Sequence, residues 1–283
     1  MITEPDIFIS HISEEAEVAI ALKELIEQHF PGPPRVFVSS DGESIKMGRD
    51  WLETVLKALR TCKAEIVVCS PKSVARPWVN LEAGAVLVRG VPVIPACHSG
   101  MTPAGLPLPL LLRQTARLTE IAGIERICGD LAEALHLGKP ELGLAGFVGQ
   151  IKAFEERYTF WDRCDSAFAV IAAAHPKIIP LLRSHSCLDM DLAKRSIAAI
   201  EGVLPFLRSN QLLDFCRTGR DTAWAPKEPT GLMDSGGICH GCRLLKLPKL
   251  DQVIGSAHWR PTPQHSDAAV EALPGWMVRP HAQ

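Results

Sequence analysis

Ala64-Glu-Ile-Val-Val-Cys-Ser-Pro-Lys-Ser-Val-Ala-Arg-Pro-Trp-Val-Asn-Leu-Glu-Ala-Gly-Ala85 holds the reading on which the fold turns. Its opening is a continuous apolar run closed by Ser70, the pattern of a strand covered on both faces. A polar turn follows, and from residue 78 to 89 the spacing becomes helical. The same alternation extends in both directions. Asp6-Ile-Phe-Ile-Ser10 reads as a strand. Val18, Ala19, Leu22, Leu25, Ile26 and Phe30 then recur at helical spacing. Ser13, ahead of Glu14 and Glu15, is a candidate N-cap with acids in the first turn. Pro31-Gly-Pro-Pro34 stops that helix. Arg35-Val-Phe-Val-Ser39 is a second strand, and Ser40-Asp-Gly-Glu-Ser-Ile-Lys-Met-Gly48 is a polar loop before a helix starting near Asp50. Val91-Pro-Val-Ile-Pro95 is a fourth strand, Gln114-Thr-Ala-Arg-Leu118 a candidate fifth, and residues 123–137 another helix. Right-handed crossovers between such strands predict a flavodoxin-like α/β fold with a parallel sheet. Ligands in that fold sit beyond the carboxyl ends of the strands, where loops 10–13, 39–48 and 70–78 converge.

The chain has 283 residues, enough for about two domains. Its 47% hydrophobic and 22% charged residues exclude a disordered or collagenous chain. A formal net charge of -2 provides no global basic field for nucleic acid or anionic lipid. No apolar run approaches the roughly 20 residues of a membrane helix. The start lacks a basic, then apolar, secretory leader. Nine cysteines without framework spacing point to free thiols and a cytoplasmic location.

Several segments resemble a bacterial TIR (Toll/interleukin receptor) domain. They are Phe8-Ile-Ser-His11, Val36-Phe-Val-Ser-Ser-Asp41, Ile45-Lys-Met-Gly-Arg-Asp-Trp51, Ser70-Pro71 with Ser73, and Arg76-Pro-Trp-Val-Asn-Leu-Glu-Ala-Gly-Ala85. Val93-Ile-Pro95 and Gly105-Leu-Pro-Leu-Pro109 continue the order, so the resemblance spans about half the chain. Trp78 and Glu82 lie four apart on one helical face. The pair matches the motif of TIR domains that cleave the nicotinamide–ribose bond of NAD, and the resemblance makes Glu82 the catalytic residue. It further implies NAD as substrate rather than cofactor, defence signalling against phage by NAD depletion or a signal nucleotide, and a defence-system partner. The residues alone also permit a plainer reading, in which a helix carries a core Trp and a Glu at its solvent edge.

The chemistry fits one carboxylate. Breaking an N-glycosidic bond builds positive charge on the ribose, which a carboxylate stabilises while accepting the nucleophile's proton. Trp78 offers a stacking surface, and in the family an aromatic near this position favours cyclised product. Ser39 and Gly48 bound the segment matching the family's BB loop, which gates the nucleotide pocket and joins TIR domains to one another. Ser10 and His11 at the first strand's end, and Trp51 after the loop, complete the substrate-binding candidates. For His11 a solvent-facing turn, and for Trp51 a place in the core, are the competing readings. Ile12 stands where related domains often carry a small or polar residue. A non-catalytic TIR adaptor is the alternative function.

The first domain is read as residues 1–140, followed by a bridging helix over 141–158. Residues 159–258 read as a smaller, mainly helical regulatory domain, and 259–283 as a loose tail. Helices are expected at 161–174, 176–183 and 191–207, with hairpin strands at 212–216 and 243–247. That order resembles a winged helix, which keeps a nucleic-acid-linked sensor open. However, residues 159–283 hold 14 Lys+Arg against 12 Asp+Glu, without the clustered basic face that phosphate binding needs. Cys239 and Cys242 form a possible half zinc site that no second pair completes; two free thiols are the plainer reading.

Overall fold

The computed structural model describes residues 4–38, 51–141, 143–224, 237–256 and 278–280. The chain divides into two compact units, Met1–Tyr158 and Thr159–Gln283.

In the first unit β1 (Ile7–Ser10), β2 (Val36–Val38), β3 (Ala64–Cys69), β4 (Val93–Cys97) and β5 (Ala116–Arg117) form one sheet. Its order is β2-β1-β3-β4-β5, with every pairing parallel. This is the flavodoxin-like order expected from the apolar runs, and its connections reverse direction between β1 and β3. Strand alternation sorts the core into two layers. Ile7, Ile9, Ile66, Val68 and Ala96 pack beneath α1 (Ala16–His29), α4 (Ile121–Leu135) and α5 (Leu144–Tyr158). Phe8, Phe37, Val67, Cys69 and Val93 pack beneath α2 (Trp51–Thr61) and α3 (Pro77–Val88). Both faces are covered, which is why the strands read as unbroken apolar runs.

Two local features differ from the sequence reading. Ser13 does not cap α1; residues Ser13–Glu15 form a 3-10 turn, and Glu15 turns inward to complete burial. The helix read as a bridge, α5, buries Leu144, Phe147, Val148, Ile151 and Phe154 in the core of the first unit. Gly123 permits close seating of α4, since a Cβ there would lie 2.6 Å from the Arg117 carbonyl oxygen.

The second unit is helical with a four-stranded antiparallel sheet. It contains α6 (Phe160–Ala174), α7 (Ile178–Ser184), β6 (Cys187–Ala193), α8 (Lys194–Ser209), β7 (Leu213–Trp224), β8 (Gly237–Lys246), α9 (Leu250–Ile254) and β9 (Val278–Pro280). The strand order is β7-β8-β6-β9. The expected hairpin is β7–β8, longer than its apolar cores suggested. The helix expected from Asp191 begins instead at Lys194, because Leu188, Met190 and Leu192 alternate into the core as strand β6. The segment read as a loose tail contributes β9, which pairs with β6. Among the described residues, no single helix is long and apolar enough to cross a membrane.

Candidate active site

Glu82 is reached by following α3 from its start. Pro77 occupies the first turn, where its missing N–H costs nothing. Asn80 donates its side-chain amide to the carbonyls of Val74 (2.9 Å) and Arg76 (3.2 Å), tying the helix to the preceding turn. Val79, Ala83 and Val86 face the sheet, and Glu82 goes inward with them, only 3% exposed. Leu81 and Val88, by contrast, are 58% and 89% exposed. A helix built for packing alone would place leucine inward and glutamate outward.

The Glu82 carboxylate meets the carboxyl end of β1. Ser10 donates its hydroxyl to Glu82 Oε2 at 2.6 Å, a bond wholly within the interior. Burial pushes the Glu82 carboxyl up to about 7, while the Ser10 hydroxyl and the Trp78 indole pull it the other way. The group therefore titrates near neutrality, the range suited to a general base. Trp78 is half-buried against the α3 side of the core. The plainer sequence reading is thus inverted: the carboxylate lies deeper than the indole.

His11 is buried as well, rather than facing solvent, with its Nδ1 3.2 Å from the Ile9 carbonyl oxygen. Burial pushes its imidazole down, opposed by that carbonyl and by the Glu15 charge. A neutral ring at the strand end can offer one donor and one acceptor. Ile12 is buried in the α3 layer. Ser39 and Gly48, with the loop between them, lie outside the described residues, as does the Trp51 side chain, although Trp51 opens α2. The structure therefore brings together Ser10, Trp78 and Glu82 at the β1/β3 reversal point, with His11 following Ser10 in the chain.

Three further acids and bases escaped the sequence reading. Glu65 faces α3 from within β3, in register with Phe8. It is fully buried, and neither carboxylate oxygen has a hydrogen-bond partner among the described residues. Burial, then the Glu82 charge, pushes its carboxyl well above the usual carboxylate range. Its signal was legible as the one charged residue inside an apolar run. Glu15 and His98 lie at the same end of the sheet but on its opposite face, with Nε2 of His98 3.5 Å from Oε2 of Glu15. No local pattern marked that pair.

Elsewhere, Cys242 is buried in β8 and donates its thiol to the Met190 carbonyl at 3.3 Å. The Cys239 side chain lies outside the described residues. Among the described residues, no three His, Cys, Asp or Glu side chains converge on a point that could hold a metal. In the second unit Arg208, Arg217 and Arg243 are each matched by a carboxylate, from Asp214, Glu201 and Asp189 respectively. A cavity of about 540 Å³ beside Val93, Arg113, Gln114 and Asp130 opens at the amino end of β4, away from Glu82.

Comparison with known proteins agrees with this architecture. Residues 7–128 match the TIR domain family. With the parallel five-stranded sheet, this places a TIR domain at residues 7–128. No curated protein matches the chain. Two solved structures of a metazoan TIR-STING receptor from C. gigas are similar, one of them in complex with 2',3'-cGAMP. That complex is 18% identical, over 64% of this chain and 51% of its own, with a TM-score of 0.37. The other is 19% identical, over 64% and 52%, with a TM-score of 0.36. This chain thus spans about half the length of either receptor.

Proposed function

We propose that the TIR domain cleaves the nicotinamide–ribose bond of NAD, as a glycohydrolase or an ADP-ribosyl cyclase, with Glu82 as its catalytic carboxylate. The observation that carries the reading is the inversion of α3, in which Glu82 is interior and Leu81 is exposed. Burying a carboxylate without a cationic partner costs several kcal/mol, and an apolar side chain in its place would be cheaper. A fold that retains this cost at a sheet reversal point places an acceptor where ligands bind.

In the reaction, the C–N bond breaks with its electron pair leaving on nicotinamide, which departs neutral and needs no acid. Positive charge accumulates on the ribose, and the Glu82 carboxylate stabilises it. Water, or a hydroxyl of the same substrate, bonds to the anomeric carbon and gives its proton to Glu82. Ser10 holds Oε2, leaving Oε1 for the substrate. Trp78 supplies the stacking surface, and His11, at the end of β1, contacts the ribose or a phosphate. The second unit regulates this activity. A role in defence against phage, and self-association through residues 39–48, follow from the same reading.

The experiment is NAD turnover by the purified full-length chain, with and without a crowding agent. Wild type releases nicotinamide and either ADP-ribose or a cyclic isomer. Folded Glu82→Gln falls by roughly a thousandfold. Undiminished turnover by that variant overturns the assignment. Absence of turnover by wild type under all conditions favours a non-catalytic assembly module instead.

A further inference from the structure

Glu15 is fully buried, yet it takes no part in the reaction described above. Its Oε1 accepts hydrogen bonds from the hydroxyl of Tyr158 at 2.9 Å and from the hydroxyl of Ser70. Ser70 is the hub of the turn over residues 70–76. Its Oγ accepts the amides of Lys72 and Ser73, both at 3.1 Å, and its own amide donates to Ser73 Oγ at 2.7 Å. Ser73 Oγ in turn donates to the Val68 carbonyl at 3.0 Å. Arg76 closes the turn with an ion pair to Glu14 at 3.2 Å. The next residue, Pro77, begins the helix that carries Trp78 and Glu82. One buried carboxylate oxygen therefore fixes the hydroxyl around which the approach to α3 is folded.

The other donor has an unusual place in the chain. Tyr158 ends α5 and is the last residue of the first compact unit. Its ring stacks on Phe154, with centroids 5.0 Å apart, and the Lys72 ammonium lies 4.8 Å from its centre. Tyr158 thus touches the 70–76 turn twice, through Glu15 and through Lys72. A buried carboxylate held by two hydroxyls is a weak source of stability compared with apolar packing, but it is directional. It specifies where each donor must lie.

We propose that Glu15 and Tyr158 are positioning residues for α3, holding the 70–76 turn so that Glu82 meets Ser10. The activity arm of this proposal rests on the Glu82 reading; its structural arms do not.

The test uses full-length Tyr158→Phe and Glu15→Gln. Tyr158→Phe lowers kcat for NAD roughly tenfold with KM held within about twofold, because geometry rather than substrate affinity is lost. Hydrogen exchange at the amides of Lys72 and Ser73 speeds up in both variants, but not in Glu82→Gln. Tyr158 is the only tyrosine in the chain, so the phenol Raman doublet reports its hydrogen bond without overlap, and Glu15→Gln weakens the donor signature. Unchanged kcat and unchanged exchange in folded Tyr158→Phe overturn the proposal, as does an unchanged Raman doublet in Glu15→Gln. If Glu15→Gln does not fold, Tyr158→Phe decides alone. If wild type does not turn over NAD, the Glu82 reading fails separately, while exchange and Raman still decide the positioning contact.

Discussion

Two glutamates enter the interior at the same end of one sheet, on opposite faces, and their surroundings differ. Glu15, on the α1/α5 face, has two hydroxyl donors on one oxygen and His98 beside the other. Glu82, on the α3 face, has the Ser10 hydroxyl at 2.6 Å and a carboxyl pushed up to about 7. The first carboxylate is enclosed by groups that need it. The second is held on one side and unusually willing to take a proton. Two buried carboxylates at one sheet end therefore differ in the donors that reach them.

That contrast breaks most visibly in stability. Glu15→Ala leaves the Ser70 and Tyr158 hydroxyls without their shared acceptor and removes the carboxylate beside buried His98. It is expected to lower the unfolding free energy by about 3–5 kcal/mol, read by denaturant melts. An unchanged midpoint would show that the cluster relaxes at no cost.

Glu82→Gln is expected to do the opposite, and only at the right pH. Below the ordinary carboxyl value of 4.5, both folded and unfolded wild type hold the proton, and the variant gains nothing. As pH rises from there to about 7, the unfolded chain ionises while the folded one stays protonated, so wild type loses stability. Above that value the loss is complete, on the order of 3 kcal/mol. Melts of wild type and variant should coincide near pH 4 and separate by pH 8, with the variant higher. Parallel curves across that window would contradict the perturbed state of Glu82.

A smaller effect sharpens the comparison within the α3 face itself. Glu65→Met replaces a buried acid that has no hydrogen-bond partner among the described residues. The folded protein should gain about 1–3 kcal/mol at pH 8, because the unfolded chain can ionise Glu65 and the folded interior resists it. A loss of stability would mean that Glu65 is satisfied by ordered water. In that case the α3 layer is wetter than its apolar lining suggests.

Much of the fold was legible because its signals are local. The unbroken runs at Asp6-Ile-Phe-Ile-Ser10 and Ala64-Glu-Ile-Val-Val-Cys-Ser70 announce strands covered on both faces, as β1 and β3 are. Strand β6 was missed although Leu188-Asp-Met-Asp-Leu192 alternates cleanly. The run leads directly into α8 with no turn between them, so its apolar positions also fit a helix that begins at Asp191. β9 lies in a proline-rich segment and is a strand only because β6 offers it an edge.

For the site, the sequence by itself determined that Trp78 and Glu82 share a helical face, since that follows from 3.6 residues per turn. It also placed that helix directly after an interior strand, through the periodicity of a single segment. Only the tertiary structure decided which face of α3 meets the sheet, and so that Glu82 is buried while Leu81 is not. It alone set Ser10 against Glu82, across 72 residues of chain, through the register of β1 on β3. It also gathered Glu15, Ser70, His98 and Tyr158 from four separate segments into one cluster. The reason is physical. Periodicity is a property of neighbouring residues, whereas a carboxylate's proton affinity depends on desolvation and on donors that reach it only once the chain has folded.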